Sequence, residues 1–227
     1  MIQELISHRC CDYSMPENTL ESMKRMHAKG AKWFEIDCFL LADGSIAVIH
    51  DKHLKRTTGQ KGTVAKMTSE EIKKVVVRGG NGNERIPLLP ELMDYAVEHD
   101  LKICIELKGR DVHLATKVDN LISRYDSEHF IVYSFNKTFI DVIAEKKPSY
   151  PVHWSMRKLS NGRLKEAARL GVGLNLDGRY VKHSDIEKIK AQDLAVHVYT
   201  VNDKARADEL FKFGVEAVIT DTLITGK

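Results

Sequence analysis

Two histidines in this chain stand between a short apolar run and a charged residue: His8-Arg9 in "ELISHRC" and His50-Asp51 in "SIAVIHD". Each pair closes a short apolar run, as a buried strand would close on the floor of a site. Two further runs end alike, "KWFEID" on Glu35 and Asp37, and "LKICIELK" on Glu106 and Lys108. Residues two apart on a strand point to the same side, so each of these pairs presents both side chains together. Three carboxylates meeting at one rim repel one another unless a cation lies among them. Oxygen-only donors favour one hard divalent ion, Mg2+ or Ca2+, over zinc. With two titratable imidazoles and the fixed cations Arg9 and Lys108 alongside, the set suits acid–base cleavage of an anionic ester. "EID" alone reads as a solvated strand end; its company gives it chemical meaning. Ser134, Asn175 and Thr200 are weaker polar candidates at later strand ends.

These residues need a frame that gathers strand ends. From residue 89 onward short β-rich runs alternate with amphipathic stretches: "LKICIEL", "FIVYSF", "VHWSM", "GVGLNL", "LAVHVYTV" and "EAVIT". Between them lie helical patterns such as "HLATKVDNLISRY" and "DKARADELFKFG", the latter stopped by Gly214. Upstream, "ELISH" and "KWFEID" flank "PENTLESMKRMHAKG", with Pro16 near a helix start and Gly30 at its end. Eight strands, each followed by a helical segment, predict an α/β fold of the (β/α)8 TIM-barrel type, whose functional groups cluster at C-terminal strand ends. A doubly wound open sheet shares the local pattern. After the second strand, Asp43-Gly44 signals a turn into a further β-rich run. The glycine-rich stretch of about 52–87, with a Thr68…Glu71 capping box, reads as a small insertion on the barrel mouth. The 227 residues are thus expected to form a single domain.

Bulk properties exclude several classes. Hydrophobic residues make up 43% of the chain, enough for one sizeable core, and 35 basic against 32 acidic residues leave a formal charge of +3. No block of basic residues supports nucleic-acid binding. No apolar run is long enough for a membrane span, and Glu4 and His8 arrive before any signal-peptide core could form. Cys10, Cys11, Cys38 and Cys104 form no C-x-x-C pair, so free thiols and a cytoplasmic location are expected. Cys38 and Cys104 read as core residues. His27, His53, His99, His113, His129 and His183 read as surface residues, and "RGGNGNE" as a loop instead of a phosphate cradle. Neither a G-x-S-x-G elbow nor a P-loop is present.

The motifs together resemble the glycerophosphodiester phosphodiesterase family, from "SHRC…PENT" to "GVEAVITD". The most specific portion is "EIDCFLLADGSIAVIHDKHLKRTTG", and "IELKG", "YSFN" and "VYTVND" follow in the family's order. The resemblance implies a TIM barrel in which Glu35, Asp37 and Glu106 hold one Mg2+ or Ca2+. It implies His8 and His50 as the general acid/base pair, with Arg9 and Lys108 on the phosphate of a small glycerophosphodiester. The implied products are sn-glycerol 3-phosphate and an alcohol. Three departures concern the substrate pocket: Cys10 where the family usually has glycine, Tyr199 where it has tryptophan, and "TDTL" for "TDYP". Two other readings stand beside this one. A related barrel phosphodiesterase of the phospholipase D toxin type also pairs two histidines with a metal, but such secreted proteins carry disulfides. A non-catalytic phosphate-binding domain of the same fold would be expected to have lost a histidine or a carboxylate.

Overall fold

In a computed structural model of the chain, describing residues 4–12, 14–79 and 84–222, eight parallel strands close into a barrel surrounded by helices. The first half runs β1 (Glu4–Ser7), α1 (Leu20–Ala28), β2 (Trp33–Leu40), β3 (Ile46–Val48), α2 (Lys55–Thr58), α3 (Ser69–Ile72), α4 (Leu89–Glu98) and β4 (Lys102–Leu107). Then follow α5 (His113–Ile122), β5 (Phe130–Ser134), α6 (Lys137–Ala144), β6 (Val152–Met156) and α7 (Asn161–Leu170). The chain ends with β7 (Gly173–Asp177), α8 (His183–Lys190), β8 (Val196–Tyr199), α9 (Lys204–Lys212) and β9 (Ala217–Thr220). The barrel closes where β1 lies between β2 and β9, with Ile6 beside both Trp33 and Ile219.

Helix formation follows the expected periodicity. In α5, Leu114, Ala115, Val118 and Ile122 fall on one face, and all four are buried against the sheet. Thr19 caps α1 by accepting from Ser22 N, so that helix begins at Leu20, four residues after Pro16. Burying each large aliphatic side chain of this outer core contributes about 1.5–3 kcal/mol, which is what holds the helical ring to the strands. Inside the barrel the opposite strand faces meet. Ile6, Cys104, Ile131, Tyr133, Ala217 and Ile219 pack there as a separate cluster.

β3 is the exception to the parallel order. It returns antiparallel on β2, with Cys38 opposite Val48, through a turn in which Gly44 takes a positive φ of 80°. The residues after it build a small core of their own, with Ile49, Leu54, Val64, Ile72, Val75, Val77 and Ile86 buried together. α3 opens with the expected box, Thr68 and Glu71 exchanging hydrogen bonds. Residues 80–83 of the "RGGNGNE" stretch lie outside the described residues. His129, expected at the surface, is buried, and its Nδ1 is 2.8 Å from the Leu101 carbonyl. That short polar turn leads straight into β5, which carries the histidine beneath the barrel edge.

Candidate active site

β2 and β4 are neighbours, and their register sets Asp37 beside Glu106 and Glu35 beside Cys104. Both strands point these side chains into the barrel near its C-terminal end. Glu35, Asp37 and Glu106 are all buried, and each offers an oxygen within 4.8 Å of the others. Donors from the chain fix part of this cluster. Arg9 N donates to Glu35 Oε2 at 3.0 Å. Asn18 Nδ2 donates to Asp37 Oδ2 at 2.8 Å, and Asn18 Oδ1 accepts from Asp37 N at 3.0 Å. Lys108 stands one residue beyond β4, with Nζ 3.0 Å from Asp37 Oδ1 and bonded to Glu106.

The electrostatics divide the three acids. Burial, with the charge of Asp37 behind it, pushes Glu35 up to about 8. Burial also raises Glu106, partly offset by Lys108. For Asp37 burial is the largest single influence and raises it. Lys108, His50, Arg9 and the Asn18 hydrogen bond together outweigh it, leaving about 2. So dense a group of acids, held by two cations and an amide, is a ready receptor for a further cation.

The two imidazoles stand at the same rim, each braced from behind. His8 begins a single 3-10 turn after β1, and its Nδ1 is 2.6 Å from Asp221 Oδ1, just past the end of β9. Its Nε2 is left facing Glu35 at 3.9 Å. His50 follows β3, and its Nδ1 is 2.6 Å from Asp51 Oδ1. Asp51 in turn accepts from Arg56 Nε at 2.6 Å, Arg56 pairs with Glu17 at 2.6 Å, and Glu17 accepts from Arg9 Nη1 at 3.1 Å. This ion-pair chain joins the small insertion core to the barrel. Burial, the largest influence on His50, lowers its pKa despite the pull of Asp37 and Asp51. Burial likewise lowers His8, but Asp221 and Glu35 outweigh it, and the net direction is upward.

All seven residues expected from the sequence thus converge on one mouth. Sequence reasoning missed Asp221, Asn18, Glu17 and Arg56. Asp221 directly follows the last strand, so the strand-end criterion could have found it. Asn18 and Glu17 sit in "PENT", where a helix-start reading hides their inward turn. The departure at position 10 is accommodated: Cys10 takes a φ of 57° after Arg9 at 53°, both in the left-handed region. The Cys10 side chain is fully buried, with Sγ donating to the Glu35 carbonyl at 3.7 Å.

Comparison with known proteins shows the family and the fold. Residues 8–225 match the Glycerophosphoryl diester phosphodiesterase family. A glycerophosphodiester phosphodiesterase of Caldanaerobacter subterraneus subsp. tengcongensis is 30% identical over 230 residues, covering 96% of this chain and 93% of that protein. The structure of an Oleispira antarctica phosphodiesterase in complex with the product sn-glycerol-3-phosphate superposes with a TM-score of 0.89 at 25% identity, covering 97% of this chain and 93% of that one. A Thermotoga maritima glycerophosphodiester phosphodiesterase shares the fold at a TM-score of 0.79 and 23% identity, over 97% and 95% of the two chains. Among the described residues no helix is long and apolar enough to cross a membrane. With the match spanning nearly its whole length, the chain belongs to the glycerophosphoryl diester phosphodiesterase family of enzymes.

Proposed function

We propose that the protein hydrolyses small glycerophosphodiesters to sn-glycerol 3-phosphate and an alcohol, using one hard divalent cation and two histidines. The observation that carries this reading is the pair of carboxylate-braced imidazoles, His8 on Asp221 and His50 on Asp51, flanking a buried cluster of three carboxylates. The product-bound Oleispira relative supports it. Glu35, Asp37 and Glu106 would hold the cation: all-oxygen donors suit Mg2+ or Ca2+, and Arg9 N and Asn18 already fix their orientation. A bound cation there supplies charge neutralisation at the non-bridging phosphoryl oxygens.

The chain's own groups do the rest. Arg9 and Lys108 hold the phosphoryl oxygens as negative charge builds on them. One imidazole takes the proton from the attacking oxygen, which bonds to phosphorus. This oxygen is that of water, or the substrate's own 2-hydroxyl, in which case water then opens the cyclic phosphate to sn-glycerol 3-phosphate. The bond from phosphorus to the leaving alcohol breaks, and the other imidazole returns a proton to that alcohol. Nδ1 of each ring is held by a carboxylate, so Nε2 is the working atom in both. The whole chain acts as a single catalytic domain, and its four unpaired thiols suit a reducing, cytoplasmic setting. Coupled detection of glycerol 3-phosphate from glycerophosphoglycerol tests the reading. Activity should vanish in chelator and return with Mg2+, Mn2+ or Ca2+; full turnover in a metal-stripped sample would defeat it.

A further inference from the structure

The acids, imidazoles and phosphate-facing cations occupy one arc of the mouth, from β1 to β4. The opposite arc, over β5 to β8, has a different character. Phe135 follows β5 and is 45% exposed. Its ring meets Tyr199 edge-on at 5.5 Å, and Lys108 Nζ lies 5.9 Å from the same ring. Tyr199 is therefore in line with the phosphate side, and the β7–β8 register sets it beside Asp177 on the other. Burial first, then the charges of Asp177 and Glu106, raises its phenol, and Arg157 and Arg179 also act on it. One tyrosine thus adjoins both the acid cluster and what lies beyond.

Beyond it three cations converge on one ring. Arg157, just past β6, donates from Nη2 to Tyr180 Oη at 3.3 Å with its guanidinium carbon 5.6 Å from the ring centre. Lys158 Nζ is 4.6 Å from that centre, and the Arg179 guanidinium carbon 5.4 Å. Asp177 forms its direct ion pair with Arg179, through bonds of 2.9 and 2.6 Å, and the charge of Arg157 also reaches it. Among the described residues no carboxylate pairs with Arg157 or Lys158. A merely solvated basic face would splay its charges apart or pair them. Gathering them on a ring costs repulsion that cation–π contacts offset only in part, and an anion would relieve it.

We infer that this arc receives the alcohol portion of the substrate and selects alcohols bearing an anionic group, a second phosphate or a carboxylate, over cationic ones. The inference rests on the reading of the site given above. Aromatic rings at a mouth can also cage a quaternary ammonium. Here the face of Tyr180 is already taken by the chain's own cations, so a choline group would meet repulsion.

Three substrates separate the possibilities: glycerophosphoglycerol, glycerophosphocholine and glycerophosphoinositol 4-phosphate, whose alcohols are neutral, cationic and anionic. The anionic substrate should exceed the cationic one in kcat/KM by about tenfold at low salt, and the gap should narrow as salt is added. In the Arg157→Ser/Lys158→Ser variant the ratio should fall to within about twofold, through KM. Its kcat on glycerophosphoglycerol and its thermal unfolding should stay as in the parent, since both side chains are exposed. A preference for choline in the parent enzyme, or an unchanged ratio in the variant, overturns the inference and leaves the phosphodiesterase reading standing. Failure to hydrolyse any of the three, with metal present, overturns both.

Discussion

His8 and His50 approach the same mouth from opposite directions in the sequence, and each depends on a carboxylate that keeps its ring in place. Loss of either ring should lower kcat by about 10²–10⁴-fold while the protein stays folded and metal still binds. Because both serve one transition state, the double variant should fall well short of the product of the singles. Asp221→Asn should lower kcat by less than His8→Ala does. A normal kcat there would remove Asp221 from the mechanism. Asn18 gives a separate test, since it holds Asp37 through two hydrogen bonds at a φ of 58°. Asn18→Gly keeps that backbone accessible but removes both bonds. It should weaken metal binding by about 10–100-fold in calorimetric titration, with a near-normal KM for substrate at saturating metal. Cys10 is different: burial pushes its thiol well above the ordinary range, which disfavours the thiolate a nucleophile would need. Cys10→Gly would relieve the strained φ and lose a small buried side chain. Stability should change by no more than about 1 kcal/mol and turnover should persist. A covalent adduct on Cys10 during turnover would contradict this.

At the scale of elements, the strands carry more than the mouth. Halfway down the barrel Tyr133 hydrogen-bonds His197, and His197 and His153 lie with ring centres 4.2 Å apart. Gly173 is required beside them, because a Cβ there would stand 2.7 Å from His153 Nε2. Burial lowers His153 to about 4 and, with His153 adding to it, lowers His197 well below its ordinary value. The unfolded chain protonates His153 near pH 6.5 and the folded chain only near 4, so between those values the unfolded state binds more. Stability contributed by keeping the rings neutral is complete above 6.5 and is lost as pH falls toward 4. Comparison with His153→Gln isolates one ring from the carboxylates. On going from pH 7.5 to 5.5 in urea unfolding, the parent should lose about 1.4 kcal/mol more than the variant. Equal losses would mean that His153 takes up its proton as readily in the fold as in the unfolded chain. Nothing in "VHWSM" or "LAVHVYTV" distinguishes an inward histidine in a barrel from one on a strand's outer face, so this layer was not legible in advance.

For the whole molecule, the sequence pattern read correctly where one period dominates. Alternating runs predicted the eight barrel strands, and the C-terminal ends of three of them, with the extra run that ends at His50, held the seven side chains that meet at the mouth. What escaped was set by tertiary closure. Asp221 acts on His8 because β9 pairs with β1, and Glu17 meets Arg56 because the insertion core folds over α1's approach. Neither adjacency leaves a local signal, as both join segments far apart in the chain. α1 does start near Pro16, but a threonine cap and not the proline sets its first residue. One feature of the mouth bears on how such an enzyme could change. Except for Asp221, the groups proposed for bond breaking come from residues 8 to 108, while the rim over β5 to β8 comes from 135 to 199. The two arcs are contiguous stretches of chain, so mutations that retune the second need not touch the first. Descendants of this sequence could trade one leaving group for another by drift or by exchange of the segment from 135 to 199 alone, which leaves Asp221 and the first arc, and with them the capacity to cleave, inherited intact.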